Sequence, residues 1–330
     1  MKTTEPQTLI EAIQFFSDPD VCREFVANLR WPNGVICPRC GAENPYFLQS
    51  RKVWKCRNKE CHKQFSVKVG TIFEDSALGL DKWLAAMWML VNAKNGASSH
   101  EIGRALGVRQ ATAWHMGHRI REAMQTGSIE KLGGEVEADE TYVGGKLGNT
   151  WGKRRAKKPL GTGGVGKAIV MGLLERHGEV RTCVIPNTKR ATLHAEVLAN
   201  VKSGSTVYTD FLASYRGLDV TYIHQMIDHA EAYVEGEVHT NGLENYWSLF
   251  KRCVKGTYVS VDPAHLYRYL DEENFRFNNR GTNDRRRFLS AVQGTVGKRL
   301  TYKELIGSEA PAGSDGNAAD DGTSPSRWLS

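Results

Sequence analysis

Four cysteines crowded between positions 37 and 61 constrain this chain more than any other feature. "CPRCG" supplies Cys37 and Cys40, and "CRNKEC" supplies Cys56 and Cys61. Two close pairs, each on a tight turn and separated by the strand-like insert "YFLQSRKVWK", match the needs of a tetrahedral Zn²⁺ ion. Thiolate ligation lets so short a segment fold around little core. Four ligands leave no open position for a catalytic water, which makes the expected site structural. The second pair has the looser spacing, and His62 beside it is an alternative to Cys61. Arg39, Arg51, Lys52, Lys55, Arg57, Lys59 and Lys63 crowd the same module, a basic face for a DNA backbone or for solvent. Cys22, Cys183 and Cys253 are scattered and read as reduced core residues rather than parts of a disulfide framework.

Charge narrows the class of partner. The net charge is +7 and the isoelectric point about 9.0, although the last stretch, "GSEAPAGSDGNAADDGTSPSRWLS", is acidic. The remainder is therefore more basic than the total, and nucleic acid is the expected partner. No apolar run approaches the ~20 residues of a membrane span, and the N-terminus lacks the order of a signal peptide. A cytoplasmic protein without membrane contact is expected.

The periodicity divides the chain of 330 residues into several parts. Residues 1–34 carry two short helices that end at "RWPNG", and 35–75 form the cysteine module. Residues 76–130 are helical. There "IGRALGVRQATAWHMGHRIREAM" has helix-turn-helix spacing, with Ile102, Leu106 and Val108 as core and Gly107 at the turn. Gln110 and Thr112 would open its second helix and reach base edges; a plain helical hairpin fits the same pattern. Residues 131–285 alternate strands and helices, with a basic insertion at 144–167. Its Lys153, Arg154, Arg155, Lys157 and Lys158 among glycines suit a flexible arm along a DNA backbone. Residues 286–306 form a helical extension, and 307–330 read as a disordered tail. The whole is a multidomain α+β chain.

Three acidic residues raise the question of chemistry. Asp139 lies in the strand "EVEADETYVGG", Asp210 ends the strand "STVYTD", and Glu244 sits early on the amphipathic helix of "HTNGLENYWSLFKRCVKGTY". Leu243, Tyr246, Trp247, Phe250 and Val254 form that helix's apolar stripe, while Glu244, Lys251 and Lys255 project from another side. Carboxylates at strand ends and on a nearby helix can converge on one cleft. Three of them repel unless cations neutralise them, and hard ions such as Mg²⁺ or Mn²⁺ suit oxygen ligands. On spacing alone Glu137 and Glu140 rival Asp139.

The blocks "RWPNGVICPRCG", "QFSVKVGTIFEDS", "EADETYVGGK", "YTDFLASY", "HTNGLENYWSLFKR" and "YLDEENFRFNNR" together resemble, in order, bacterial insertion-sequence transposases of the DDE type with an N-terminal zinc ribbon, the ISXO-like transposases. The resemblance covers roughly residues 10–285. It implies an RNase H-like catalytic domain in which Asp139, Asp210 and Glu244 hold Mg²⁺ or Mn²⁺, two ions by the usual logic of phosphoryl transfer. It also implies an auxiliary role at the metal site for His239, while Lys251, on the same helix side as Glu244, would point at a phosphate. Related elements place Asn at the third position, so Asn241 and Asn245 are its competitors. Val259 stands where relatives often carry His. The implied activity is binding of terminal inverted repeats, strand cleavage and transfer to target double-stranded DNA. Two ends must be joined, which implies at least a dimer working on the bacterial nucleoid. A DNA-binding regulator derived from a transposase and a nuclease that cuts without joining are the other readings of the same parts.

Overall fold

The computed structural model describes residues 6–125, 130–144, 167–227 and 240–307. They form two compact units. One comprises the chain up to residue 125 together with the return from 281, and the other comprises 126–280.

The first unit opens on α1 (Leu9–Phe15), whose start is fixed by a reciprocal capping box between Thr8 and Glu11. Then follows α2 (Pro19–Arg30), with Asp18 as N-cap and Pro19 in the first turn. The cysteine module is a three-stranded antiparallel sheet of β1 (Tyr46–Leu48), β2 (Val53–Lys55) and β3 (Gln64–Phe65). Its core is aromatic: Trp54 lies 5.5 Å from Trp31 and 6.1 Å from Phe65 between ring centroids. Arg30 fastens α2 to the end of the module by donating to the carbonyls of Val67 (2.9 Å) and Val69 (2.6 Å).

Helix α3 (Leu80–Asn92) is apolar nearly all round, the pattern of a central helix, and Trp83, Leu84, Met87, Leu90 and Val91 are buried. Next come α4 (Ser99–Leu106) and α5 (Gln110–Met124), joined through Gly107 at φ +63°. The chain returns to this unit as α9 (Asp284–Gln293) and α10 (Tyr302–Leu305). Phe288 of α9 closes the core against Phe16, Phe25 and Trp88, with centroids 5.7, 6.0 and 5.0 Å away. The segment expected as a C-terminal extension is thus structural to the first unit.

The second unit is a five-stranded mixed sheet with helices on both faces. Its strands are β4 (Glu135–Val143), β5 (Ala168–Glu175), β6 (Val180–Ile185), β7 (Thr206–Asp210) and β8 (Ile223–Ile227), in the order β6-β5-β4-β7-β8. β4, β5 and β6 pair antiparallel, whereas β7 runs parallel to β4 and β8 parallel to β7. The last strand starts at Ile223, because Leu218–Val220 close a 3₁₀ turn first. Helix α6 (Arg190–Asn200) covers one face over Val136, Ala138, Leu173 and Val207. Helices α7 (Asn241–Cys253) and α8 (Leu266–Asn278) cover the other over Val170, Leu174 and Val180. The apolar stripe expected on α7 is confirmed at Leu243, Tyr246, Trp247 and Phe250, all buried. Val254 is only half-buried, because the α-helix ends at Cys253 and continues as a π-helical turn, Val254–Tyr258.

Candidate functional site

Strand alternation decides which acidic side chain of "EADE" can act with α7. Residues 136 and 138 join the core under α6, so 137, 139 and 141 face α7. Glu137 is consumed by structure. Its Oε2 accepts the N–H of Leu243 at 2.9 Å, and its Oε1 accepts from Arg176 Nε at 3.2 Å. The N-cap residue of α7, Thr240, makes no side-chain cap bond, so Glu137 satisfies an end of that helix from across the sheet. The fit needs Gly242, where a Cβ would come within 2.8 Å of Glu137 Oε2 and 2.5 Å of Leu174 Cδ2. Glu140 accepts the hydroxyl of buried Tyr215, a residue of the α6-side core.

Asp139 remains, and it is held in place. Its Oδ1 accepts the N–H of Glu140 at 2.8 Å, and its Oδ2 accepts Trp247 Nε1–H at 3.0 Å. Trp247 reaches it because residue 172, directly opposite Asp139 in the antiparallel register, is glycine. A Cβ there would lie 2.7 Å from Trp247 Cζ2. Sequence reading placed Trp247 in the core by periodicity, but its N–H was the missed signal: a buried indole nearly always finds an acceptor. Gly172→Val is expected to push Trp247 off Asp139 and to destabilise the unit by about 1–3 kcal/mol. Trp247→Phe removes the donor together with the ring atoms that pack over Gly172, so it should lose about 1 kcal/mol for the hydrogen bond and a further ~1–2 kcal/mol for the cavity. Chemical denaturation of both variants beside the parent checks this; parent stability in either would contradict the packing of Trp247 between Gly172 and Asp139.

The parallel register pairs Ala138 with Thr209, which sets Asp139 beside Asp210 at the end of β7. Asp210 Oδ1 in turn accepts the N–H of Leu212 at 3.1 Å. Glu244, on the first turn of α7, lines the same open cleft as Asp139, with Trp247, Lys251, Arg252 and Lys255 around about 550 Å³. The positions 244, 251 and 255 therefore share one wall, as the helix geometry predicts. Asn245 faces a different hollow, with Glu135 and Arg176, and Asn241 is exposed at the start of α7.

Electrostatics mark the place where charge is crowded. Burial pushes the Asp139 carboxyl up to about 6, with the charge of Asp210 and then Glu244 acting in the same direction. Burial likewise pushes Glu140 up to about 8, Asp210 and Asp139 adding to it against the pull of the Tyr215 hydroxyl. A raised carboxyl favours the protonated fold, so its stabilising contribution is complete near its ordinary value and fades as pH rises through about 6 for Asp139 and about 8 for Glu140. Without divalent cations, the second unit should therefore melt higher at pH 6 than at pH 8. Mg²⁺ should raise the melting temperature more at pH 8 than at pH 5.5. In Asp139→Asn the Mg²⁺ increment should shrink sharply; an increment equal to that of the parent would contradict a cation bound at Asp139.

The first unit holds the other expected metal centre. The sulfurs of Cys37, Cys40, Cys56 and Cys61 all lie within 4.8 Å of one another, and Cys61 rather than exposed His62 completes the set. Burial would raise the Cys37 thiol, but the N–H groups of Arg39 and Cys40 outweigh it and hold it at about 7, whereas burial and the neighbouring thiols push Cys56 up to about 12, so a bound ion is what would draw all four into thiolates. Among the described residues the three carboxylates do not draw into so tight a group. Of the basic face on the module, Lys52 pairs with Asp20 at 2.7 Å and Arg57 lies 4.1 Å over the Tyr46 ring.

The helical pair differs in detail from its expectation. Ile102 and Ala113 are buried, but Leu106 and Val108 are only half-buried. Gly103 allows the close turn, since a Cβ there would stand 3.0 Å from the Val108 carbonyl. Gln110 is exposed but donates to Ser99 Oγ at 2.8 Å, and Thr112 is half-buried. His239 and the basic residues Lys153, Arg154, Arg155, Lys157 and Lys158 lie outside the described residues, as does the tail after 307.

Residues 131–278 match the family model of the ISXO2-like transposase domain, and residues 17–64 match that of the transposase zinc-ribbon domain. A protein of the transposable element ISH50 of Halobacterium salinarum is 31% identical over 260 residues, 74% of this chain and 86% of that protein. The chain belongs to the ISXO2-like transposase family. A transposase-like protein of Haemophilus influenzae is 37% identical over 102 residues, 31% of this chain and 82% of its own. In this transposase the domain match spans the sheet, α6, α7 and α8, so the carboxylate cleft lies wholly within it. The four-cysteine cluster lies within the ribbon match and fits a structural Zn²⁺. No described helix is long and apolar enough to cross a membrane.

Proposed function

We propose that the chain is a divalent-metal-dependent DNA transposase whose active site is Asp139, Asp210 and Glu244. The observation that carries this reading is the crowding at Asp139: a carboxyl raised first by burial and then by the charges of Asp210 and Glu244, in a cleft that also presents Glu244, Lys251, Arg252 and Lys255. Carboxylates alone would repel a phosphodiester. Carboxylates with bound cations, ringed by lysine and arginine, would accept one. The strand order, three antiparallel strands followed by two parallel ones, supports an RNase H-like domain.

The residues divide the work. Asp139, Asp210 and Glu244 would hold Mg²⁺ or Mn²⁺, which when bound lowers the pKa of a nucleophile and stabilises the leaving oxygen. The N–H groups of Trp247 and Glu140 orient Asp139, so its position does not depend on what it binds. Lys251 and Lys255 place the phosphate, and Arg252 adds a donor fork beside them. Positioning and charge then carry the reaction: hydrolysis exposes a 3′-OH at each end, and that 3′-OH attacks target DNA. The zinc ribbon, α4 and α5 as a helix-turn-helix, and the basic segment 144–167 would bind the terminal inverted repeats. Joining two ends requires at least two copies, in a bacterial cytoplasm where the DNA lies.

The test uses purified protein, Mg²⁺ and duplexes taken from the DNA that flanks the coding sequence. Nicking at the element ends followed by joined products is the expected result. Cutting without joining would identify a nuclease, specific binding without cutting a regulator, and either would overturn the proposal.

A further inference from the structure

A second hollow of about 700 Å³ shares Lys251 and Lys255 with the carboxylate cleft and extends away from it. That is within the ~300–1,000 Å³ of sites that take small organic groups. Its floor is apolar, built from Phe250, Val254, Val261 and Leu266, and Lys167 stands on its rim. Among the described residues no hydrogen bond or ion pair engages the ammonium groups of these three lysines. A plain core defect would not be ringed by cations.

The wall of this hollow is unusual backbone. The α7 helix passes into the π-helical turn Val254–Tyr258, an irregularity frequent at functional sites. Tyr258 anchors the turn from beneath, donating to Glu272 at 2.5 Å and meeting the Tyr269 ring at 4.7 Å. The next residue, Val259, has φ +59°, a conformation that β-branched side chains avoid, and yet is 77% exposed. The backbone closes a tight γ-turn there, in which Ser260 N–H donates to the Tyr258 carbonyl at 2.6 Å. That turn leaves an apolar side chain in water at the mouth of an apolar hollow, where a ligand could rest on it.

We propose that this hollow holds one unstacked nucleotide of the DNA strand whose phosphate lies at the carboxylate cleft. The base would lie on the apolar floor against Val259, and the flanking phosphates would lie on Lys251, Lys255 and Lys167. The shared lysines argue for one continuous polyanion running through both hollows. The inference rests on the transposase reading for which strand is bound, but not for whether a base is bound.

Two measurements separate those dependencies. Fluorescence anisotropy with a labelled single-stranded oligothymidylate needs no cleavage. Val259→Asp, which adds a charge that repels phosphate, should weaken this affinity about ten-fold, in the range of a lost base contact. Val259→Gly relieves the strain and should weaken it less, and Val261→Gln provides a second floor variant if Val259→Asp folds poorly. End duplexes carrying 2-aminopurine near the cut should brighten with the parent protein and not with Val259→Asp. Parent affinity in both Val259→Asp and Val261→Gln, or no brightening at any position beside an observed cut, would overturn the proposal. So would a change in oligomeric state alone, which would make the hollow a protein interface. If oligothymidylate binding keeps its Val259 dependence while the parent protein cuts no DNA, the transposase reading fails and the nucleotide site stands.

Discussion

Glu244→Gln should abolish strand cleavage and joining in Mg²⁺, by about a thousand-fold or more, while folding and specific DNA binding persist. The substitution keeps the size of the side chain and the helix. It removes one of the charges that crowd Asp139, so the Asp139 carboxyl should titrate lower in the variant, with Asp210 still raising it. The loss expected from deleting one electrostatic contact in a transition state is ~10²–10³, and loss of a metal ligand is at least as severe. Folding should survive because Glu244 is exposed, and the stability of α7 comes from Leu243, Tyr246, Trp247 and Phe250 below it. Lys251→Ala should cost less, since Lys255 and Arg252 share its wall. Asp219→Asn, an exposed acidic residue on a 3₁₀ turn, is the control. Gel-based cleavage of the end duplex reads all three. Activity in Glu244→Gln equal to that of Asp219→Asn would remove Glu244 from the site, and loss in Asn245→Ala instead would move the third ligand there.

Cys56→Ser, or exhaustive chelation of the parent protein, should unfold the ribbon and leave the rest of the first unit standing. The ribbon strands have three, three and two residues, and Trp31, Trp54 and Phe65 make up much of its apolar core. Such a segment depends on the ion, whose apparent binding free energy in small zinc modules is about 10–16 kcal/mol. The helical core around α3 is separate in kind: Phe288, Trp88, Phe16 and Phe25 pack without any of the four cysteines. The near-ultraviolet signal of Trp31 and Trp54 should therefore collapse, with most helical circular dichroism retained. One zinc per chain should be released, and binding to the end duplex should weaken. A chelated protein with unchanged tryptophan signals would show that the four thiols need no metal.

Much of this was readable one residue at a time. Cysteine pairs on tight turns announce a metal because four soft ligands at that spacing serve few other ends. The buried stripe of α7 follows from a 3.6-residue period, and that same period puts Glu244, Lys251 and Lys255 on one wall. Period and spacing are local properties, so local sequence carries them. Choosing among Glu137, Asp139 and Glu140 was different. Alternation separates 140 from the other two, but it does not say which face meets α7, and it treats 137 and 139 alike. The choice came from the far side of the sheet and from a helix a hundred residues later: the backbone of Leu243 claims Glu137, the Tyr215 hydroxyl claims Glu140, and the gap at Gly172 lets Trp247 reach Asp139. The π-helical turn that follows α7 is likewise held by a distant partner, Tyr258 donating to Glu272 on α8. Long-range pairing of buried polar groups is set by which elements meet, and only the tertiary structure brings them together.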